Sequence, residues 1–314
     1  MTLVAGVAPD GRGRAVLHLG AMLHLGGMLA RSAGDDLVLC AVVPGSWPPS
    51  PARVDAEYHE HLDGVAEDVL AQARARLPQD VPVTTVVHHA RSTPSGLLEL
   101  AEKHEASLVV AGSASGGGTG HVTLGSATGR LLHSSPIPVA LAPRGFRAKP
   151  DARVRRVTAA FGGSQDDLVV AAAGVAARVG ATLRLASFAV RPRPPYTVAV
   201  GREADDSLVG EWVQQIEAAQ RTALEEVQDL ALVPPDCEAV VGRGETWDEA
   251  LEDIEWEDGD VLVVGSSAIG PIARVFLGSR SSKLVQHSPV PVVVVPRGVA
   301  AELADDAAQA EPPD

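Results

Sequence analysis

Aromatic side chains are scarce in this sequence, at 3% of 314 residues, although hydrophobic residues of all kinds reach 46%. Ala, Val and Leu must therefore fill the interior. Cysteine is scarcer still, with only Cys40 and Cys237, each beside an apolar run. Two cysteines are too few for a disulfide framework or a thiolate metal site, so we expect buried free thiols and no metal centre.

Positive charge is also in short supply. The chain carries 26 Lys and Arg against 40 Asp and Glu, which gives a net charge of -14. Nucleic acids and anionic membrane surfaces both bind clustered Lys and Arg, so neither is an expected partner. No segment is long and apolar enough to span a bilayer, and Met1–Val7 predicts a strand rather than a signal peptide because no basic leader precedes it. We therefore expect a cytoplasmic protein.

What the sequence does contain is a repeat that covers nearly its whole length. Residues 108–113 (LVVAGS) recur 153 residues later as 261–266 (VLVVGS), and the same offset relates 135–139 (SPIPV) to 288–292 (SPVPV). A chain of this length usually forms more than one core. We therefore predict two domains of one kind, at 1–146 and 154–298, with a basic linker at 147–153 and a disordered acidic tail at 299–314.

Each copy alternates short apolar runs with longer stretches of helical period, a pattern typical of parallel βαβ units. We predict the α/β class, with two tandem doubly wound domains that each hold a five-stranded parallel sheet flanked by helices. The strands are expected at 3–7, 37–43, 83–88, 108–111 and 138–142 in copy one, and at 157–161, 183–190, 238–241, 261–264 and 291–295 in copy two.

Pro138 and Pro291 open the last strand of each copy. A proline there is tolerated at a sheet edge, where its missing N–H leaves no ladder bond unmade. The residues that follow are apolar, so each edge invites pairing. We predict that the two copies pack on each other through these strands and that two chains also form a homodimer through them, with any further protein partner unknown.

The predicted ligand site lies at the carboxyl ends of the strands, where helix amino termini converge in an open α/β sheet. Two equivalent loops, 112–126 and 265–279, end there. Their glycines let backbone N–H groups approach a ligand, and helix starts attract phosphate. The candidate nucleotide-binding residues are Gly112, Ser113, Ser115, Gly125, Ser126, Gly265, Ser266, Gly278 and Ser279. The alternative, which spacing leaves open, is that Ser126 and Ser279 only cap their helices and the glycines only make turns.

The spacing in these loops resembles that of the universal stress proteins, which carry a Gly, two residues, a second Gly, nine residues and then Gly-Ser or Gly-Thr. The corresponding residues are Gly112, Ser115, Gly125 and Ser126 in copy one and Gly265, Ala268, Gly278 and Ser279 in copy two. The segments HSSPIPV and HSPVPV also look like the family's last helix and strand. The resemblance, to the tandem form, implies an adenine nucleotide alpha hydrolase-like fold. It also implies a regulatory or binding protein that acts through conformation, dimerisation or partner binding.

The chain departs from the family pattern at two positions of each copy. Family members that bind ATP place an Asp directly after the first strand, whereas this chain has Ala8 and Gly162 there. Ser115 and Ala268 also replace the second glycine and bring a side chain where a phosphate would come close. We therefore predict that ATP binds weakly or not at all, and that any remaining site favours copy one, whose loop keeps extra glycines.

Two other functions stay open at this stage. An adenylating or ATP-hydrolysing enzyme is one, because residues 161–166 (FGGSQD) are similar to the glycine-rich loop that related folds place after their first strand. A structural dimer module without a ligand is the other. No cluster of nucleophile, base or metal ligands recurs at matching positions, so we predict no catalytic residues.

A local doubling distinguishes the first helix of copy one, where 18–23 (HLGAML) is followed by 24–29 (HLGGML). Six extra residues turn the following helical face by about 240°, so both hexads are not expected on one core face. We expect the extra turns to extend the helix beyond the sheet at its amino end. His18 and His24 lie six residues apart and face different sides, so we predict structural roles rather than a metal pair.

Overall fold

The computed structural model describes residues 1–8, 15–45, 53–114, 120–163, 166–191, 202–229, 237–266 and 278–309. The strands in these parts of the chain are β1 (Thr2–Val7), β2 (Asp36–Pro44), β3 (Val83–Ala90), β4 (Ala106–Gly112), β5 (Val139–Ala142), β6 (Arg156–Ala160), β7 (Thr182–Val190), β8 (Glu238–Gly244), β9 (Asp260–Gly265) and β10 (Val292–Val295). The helices are α1 (Ala15–Ala33), α2 (Arg53–Arg74), α3 (Thr93–Lys103), α4 (Ser126–Ser134), α5 (Asp166–Val179), α6 (Arg202–Asp229), α7 (Trp247–Glu252), α8 (Ser279–His287) and α9 (Arg297–Gln309).

All of these strands belong to one sheet, in the order β3-β2-β1-β4-β5-β10-β9-β6-β7-β8. Within each copy every pair of neighbouring strands is parallel. From its outer edge inwards, each copy has the same order of third, second, first, fourth and last strand. The predicted fold class of two tandem α/β units is confirmed.

The two copies join where β5 and β10 pair antiparallel, with Val292 opposite Leu141 and Val294 opposite Val139. Packing of the copies through their last strands is therefore confirmed. Because each of these strands has a neighbour on both sides, neither offers an edge to a second chain. The homodimer stays a prediction, and it needs a surface other than the last strands.

Side chains alternate between the two faces of the sheet, and helices cover both faces. Helices α1, α2, α5, α6 and α9 pack on one face, over side chains such as Leu3 and Ala140. Helices α3, α4, α7 and α8 cover the other, over side chains such as Leu141. Neither cysteine forms a disulfide; Cys237 is half-buried, and full burial raises the pKa of the Cys40 thiol to about 12. No helix within the described ranges combines the length and apolar character needed to cross a membrane.

The segment after β10 is a helix and not the disordered tail that its acidic composition predicted. Helix α9 lies against α5 and buries Ala300 and Ala304. Alanines four residues apart share one helical face, and their small side chains let two helices approach closely. The prediction is therefore wrong up to Gln309, because the alanines of this segment pack although the residues around them are acidic. Residues 310–314 lie outside the described part of the chain.

Helix α1 runs unbroken through the doubled hexad and is buried around most of its circumference there. Met22 from the first hexad and Leu25 and Met28 from the second have almost no exposed surface. A β-carbon on Gly27 would lie 3.3 Å from the Leu77 side chain, so this glycine lets the segment after α2 close over the helix. The expected extension beyond the sheet is wrong, because both hexads are enclosed by packing on more than one side.

Leu25→Ala should lower the free energy of unfolding by about 2–5 kcal/mol, because it opens a cavity around a side chain with no exposed surface. His24→Ala, on the exposed side of the same turn, should change it by no more than about 1 kcal/mol. Urea unfolding followed by circular dichroism measures both. Small and equal effects would place the doubled hexad outside the core.

Copy two holds a charge cluster at the amino ends of its strands. The Asp260 carboxylate accepts hydrogen bonds from Arg156 Nε and Nη2 at 3.0 and 2.8 Å. Arg184 Nη2 lies 3.5 Å from the same carboxylate, and its Nη1 donates to the Glu255 carbonyl oxygen at 2.8 Å while the guanidinium lies over the Trp256 ring. The side chains of Arg184 and Asp260 are 2% and 1% exposed. Burial lowers the pKa of the Arg184 guanidinium, and the carboxylate opposes that shift.

Copy one lacks this cluster. Strand register pairs Thr2 with Ala106 where copy two pairs Arg156 with Asp260. The two copies therefore share a backbone architecture but not the interactions that hold the amino ends of their strands.

Asp260→Asn should lower the free energy of unfolding by about 3–5 kcal/mol, because two guanidinium groups lose their buried counter-charge. The matched control is Glu257→Gln, which changes a more exposed carboxylate 3.6 Å from Arg156 and should cost no more than about 1 kcal/mol. Chemical denaturation of both variants gives the comparison. Equal losses would contradict a central role for the buried carboxylate.

Candidate functional site

The strand order creates one crevice in each copy at the carboxyl ends of the strands. The winding direction of the chain reverses between the first and fourth strands, which is where ligands bind in open α/β sheets. The ends of β1 and β4 form this crevice in copy one, and the ends of β6 and β9 form it in copy two. The two predicted loops start at this edge, at Gly112 and Gly265.

The copy-one loop is fastened by Ser113. Its hydroxyl accepts a hydrogen bond from the Thr123 amide at 2.7 Å, and the Ala114 amide donates to the Thr123 carbonyl oxygen at 2.8 Å. Because only 6% of Ser113 is exposed, its hydroxyl group forms hydrogen bonds within the loop and is not available to a ligand in the crevice. Gly120, whose φ of 89° favours glycine, lies in the returning part of the loop. Ser115 lies outside the described residues.

Gly125 and Gly278 occupy the N-cap positions of α4 and α8, and no side chain caps either helix. Ser126 and Ser279 are the first helical residues, so the alternative in which they cap the helices is wrong. A β-carbon on Gly125 would lie 3.0 Å from the β-carbon of Ala114, which is a tight contact. The glycine thus brings the loop and the helix start together and leaves the first turn open, as in helix termini that bind anions.

In each copy one hydroxyl group, which the loop pattern did not indicate, connects the helix after the loop to the end of the strand before it. Thr128 Oγ1 donates to the carbonyl oxygen of Gly112 at 3.3 Å, and Ser281 Oγ donates to that of Gly265 at 2.8 Å. The two residues are the third of their helices and lie 153 positions apart, the same offset as the repeat. Comparing the copies for conserved hydroxyl groups as well as glycines would have found them.

Ser266 of copy two, which corresponds to Ser113, forms hydrogen bonds that connect two elements of the fold. The Ser266 amide donates to the Val295 carbonyl oxygen at 2.9 Å, and the Ser266 hydroxyl accepts from the Arg297 amide at 3.2 Å. Ser266 is 4% exposed and connects the end of β9 to the start of α9. Residues 267–277, with Ala268 among them, lie outside the described part of the chain.

Neither crevice has the expected carboxylate after its first strand. Ala8 and Gly162 are exposed there and have no side chain that could accept a hydrogen bond. Asp167 is exposed in the first turn of α5, while Asp10 lies outside the described residues. Within the described ranges, no three His, Cys, Asp or Glu side chains come together as ligands for a metal ion.

The copy-one loop also contacts copy two. The His121 ring meets the His287 ring edge to face, with their centroids 6.4 Å apart. His287 ends helix α8, and its Nδ1 lies 2.7 Å from Oδ1 of Asp248 in α7. A chain of three side chains therefore connects the loop of one copy with two helices of the other.

Comparison with known proteins identifies the family. A model described as "Universal stress protein family" matches the chain twice, over residues 3–143 and 153–296. The chain belongs to the universal stress protein family. A universal stress protein of Mycobacterium tuberculosis is 37% identical over 304 residues, which cover 94% of this chain and 100% of that protein.

Solved universal stress protein structures resemble the fold over nearly the whole chain. One from Archaeoglobus fulgidus has a TM-score of 0.56 at 18% identity and covers 94% of this chain and 98% of its own. A putative universal stress protein from Pseudomonas aeruginosa has a TM-score of 0.52 at 16% identity, with 98% of each chain covered. At such low identity these likenesses concern the fold alone.

Ser113→Ala should speed hydrogen exchange at the Thr123 amide about tenfold, because that amide loses the acceptor that fastens the loop of this universal stress protein. Ser266→Ala, the matched change in copy two, should leave Thr123 exchange unchanged. Exchange resolved by nuclear magnetic resonance measures both. An unchanged rate in Ser113→Ala would mean that backbone contacts alone hold the loop.

Proposed function

We propose that this protein is a regulatory universal stress protein that binds adenine nucleotide weakly, mainly at copy one, and responds through a conformation or a contact with a partner. The observation that carries the proposal is the contact of the copy-one loop with copy two through His121 and His287. A ligand that moves the loop also moves a contact of the second copy. Family membership supports a regulatory role for the chain as a whole.

Weak affinity follows from the residues at the strand ends. With Ala8 and Gly162 in place of a carboxylate, a nucleoside loses a charged hydrogen-bond partner in each crevice. Hydrogen bonds to charged groups contribute about 1.5–3 kcal/mol, so the loss weakens binding by about 10- to 100-fold. The remaining interactions are those of the loop and of the helix start with phosphate.

Copy one is the better candidate for the remaining site. Helix α4 begins at Gly125 without a side-chain cap, as α8 does at Gly278, and the dipole and first-turn amides of such a helix start attract a phosphate group. The fastening of the loop by Ser113 orders the backbone beside that helix start before a ligand arrives. A site ordered in advance loses less entropy on binding.

Gly125→Val should abolish nucleotide binding, because the β-carbon alone would crowd Ala114 and the branched side chain would cover the start of α4. Gly278→Val is the matched control at the same N-cap position of copy two and should leave binding almost unchanged. Calorimetric titration of the wild type and both variants with magnesium and ATP measures the effect. We expect a dissociation constant no tighter than micromolar for the wild type.

Several outcomes would argue against the proposal. Submicromolar binding would mean that the missing carboxylate is replaced elsewhere. A loss caused mainly by Gly278→Val would assign the site to copy two. No heat from the wild type at millimolar ATP would favour a structural module without a ligand.

A further inference from the structure

A cavity of about 190 Å³ lies between the two copies, on the sheet face covered by α1 and α5. These helices hold equivalent positions in the repeat, and each is followed by a glycine with positive φ, Gly34 and Gly180. Counted back from those glycines, Leu29 and Ala33 of α1 correspond to Val175 and Val179 of α5, and all four line the cavity. The cavity therefore sits where the two copies meet, and both copies contribute to its wall.

The wall is mostly apolar, with valines and leucines from five strands and from the three helices around it. The strands below contribute side chains such as Leu3, Val157 and Val293, and Leu303 of α9 also lines the cavity. The apolar part of the wall offers water few hydrogen-bond partners. A hydrocarbon is the chemistry that such a wall accepts.

The polar side chains around the cavity have oxygen or nitrogen partners, with one exception. Ser32 Oγ donates to the Met28 carbonyl oxygen at 2.7 Å and accepts from the Val154 amide at 2.8 Å. The buried Asp35 carboxylate lies 3.2 Å from the amino group of Met1. Ser107 Oγ lies 3.5 Å from the Thr2 carbonyl oxygen.

Arg178 is the exception. It occupies the position that corresponds to Ser32, it is exposed, and the hydrogen bond it makes within the described residues goes to the sulfur of Met1 at 3.0 Å. A thioether is a weak acceptor, and a guanidinium has five N–H donors that suit a carboxylate. Arg178 therefore brings a positive charge to the cavity at the position where copy one has the neutral Ser32, while the Asp35 carboxylate is already paired with the Met1 amino group.

The volume limits the size of an occupant. An apolar cavity of about 150 Å³ in another protein binds benzene, which has six carbons. The larger volume here suits about six to eight carbons by the same measure.

We propose that the cavity binds a saturated carboxylate of medium chain length, with its hydrocarbon chain between α1 and α5 and its carboxylate at Arg178. Such a ligand contacts both copies at once and so stabilises their packing. This inference does not depend on nucleotide binding, and failure of the ATP titrations would leave it unaffected.

Calorimetric titration of the full chain with hexanoate and octanoate tests the proposal. Octanoate should bind about 15-fold more tightly than hexanoate, because each buried methylene strengthens binding about fourfold. Val175→Phe, which fills the cavity, should weaken octanoate binding at least tenfold. Val170→Phe is the matched control, since Val170 is half-buried on the same helix but does not line the cavity.

A second variant tests the carboxylate contact. Arg178→Gln should weaken octanoate binding about fivefold and leave octanol binding unchanged, as expected for loss of an exposed ion pair. Thermal unfolding of each variant by circular dichroism establishes that it folds. The proposal is overturned if octanoate gives no saturable heat at millimolar concentration, or if both Phe variants weaken binding equally. Loss of octanol binding in Arg178→Gln, or unchanged octanoate binding, would overturn the assignment of the carboxylate to Arg178.

Discussion

The antiparallel pairing of β5 with β10 is the interaction on which the arrangement of the two copies depends. Each strand has four residues, yet their three residue pairs join two five-stranded sheets into one. The pairing also removes two apolar edges from solvent, where they would invite aggregation. Because it is antiparallel, the carboxyl edge of copy one lies beside the amino edge of copy two at the junction. For this reason His121, in a ligand loop, meets His287 at the far end of a helix and not in the opposite loop.

The repeat made most of the fold predictable, because each strand signal occurs twice and the two occurrences support each other. Segments 108–113 and 261–266 lie at β4 and β9, and the proline-led segments lie at the two strands of the junction. Helix α9 and the burial of the doubled hexad were mispredicted, because both depend on small residues. Ala300 and Gly27 add little to an apolar pattern in the sequence. They contribute to packing because their small size lets another segment of the chain approach closely. That segment is known only once the chain is folded.

The candidate site was predictable to a similar extent. Glycine spacing indicated where α4 and α8 begin. The turn that leads into each helix restricts which residues can occupy it, and this restriction is visible in the local sequence. It did not indicate the hydrogen bonds of Thr128 and Ser281 to the strand ends, because a hydroxyl in a helix has many possible acceptors. Ser113 and Ser266 were chosen as ligand contacts by position. The observed partner of the Ser113 hydroxyl is a backbone amide of its own loop, and that of the Ser266 hydroxyl is the Arg297 amide at the start of α9.

The charge cluster of copy two has a consequence for folding. A chain with two copies of one fold can misassemble when a strand of one copy enters the sheet of the other, a failure typical of repeat proteins. If β4 took the position of β9, Ala106 would stand where Asp260 belongs. Arg156 and Arg184 would then lose their buried counter-charge and keep only exposed carboxylates such as that of Glu238. A buried charge left unpaired costs several kcal/mol. The exchanged arrangement is therefore penalised, and divergence at the strand ends disfavours entry of β4 into the sheet of copy two.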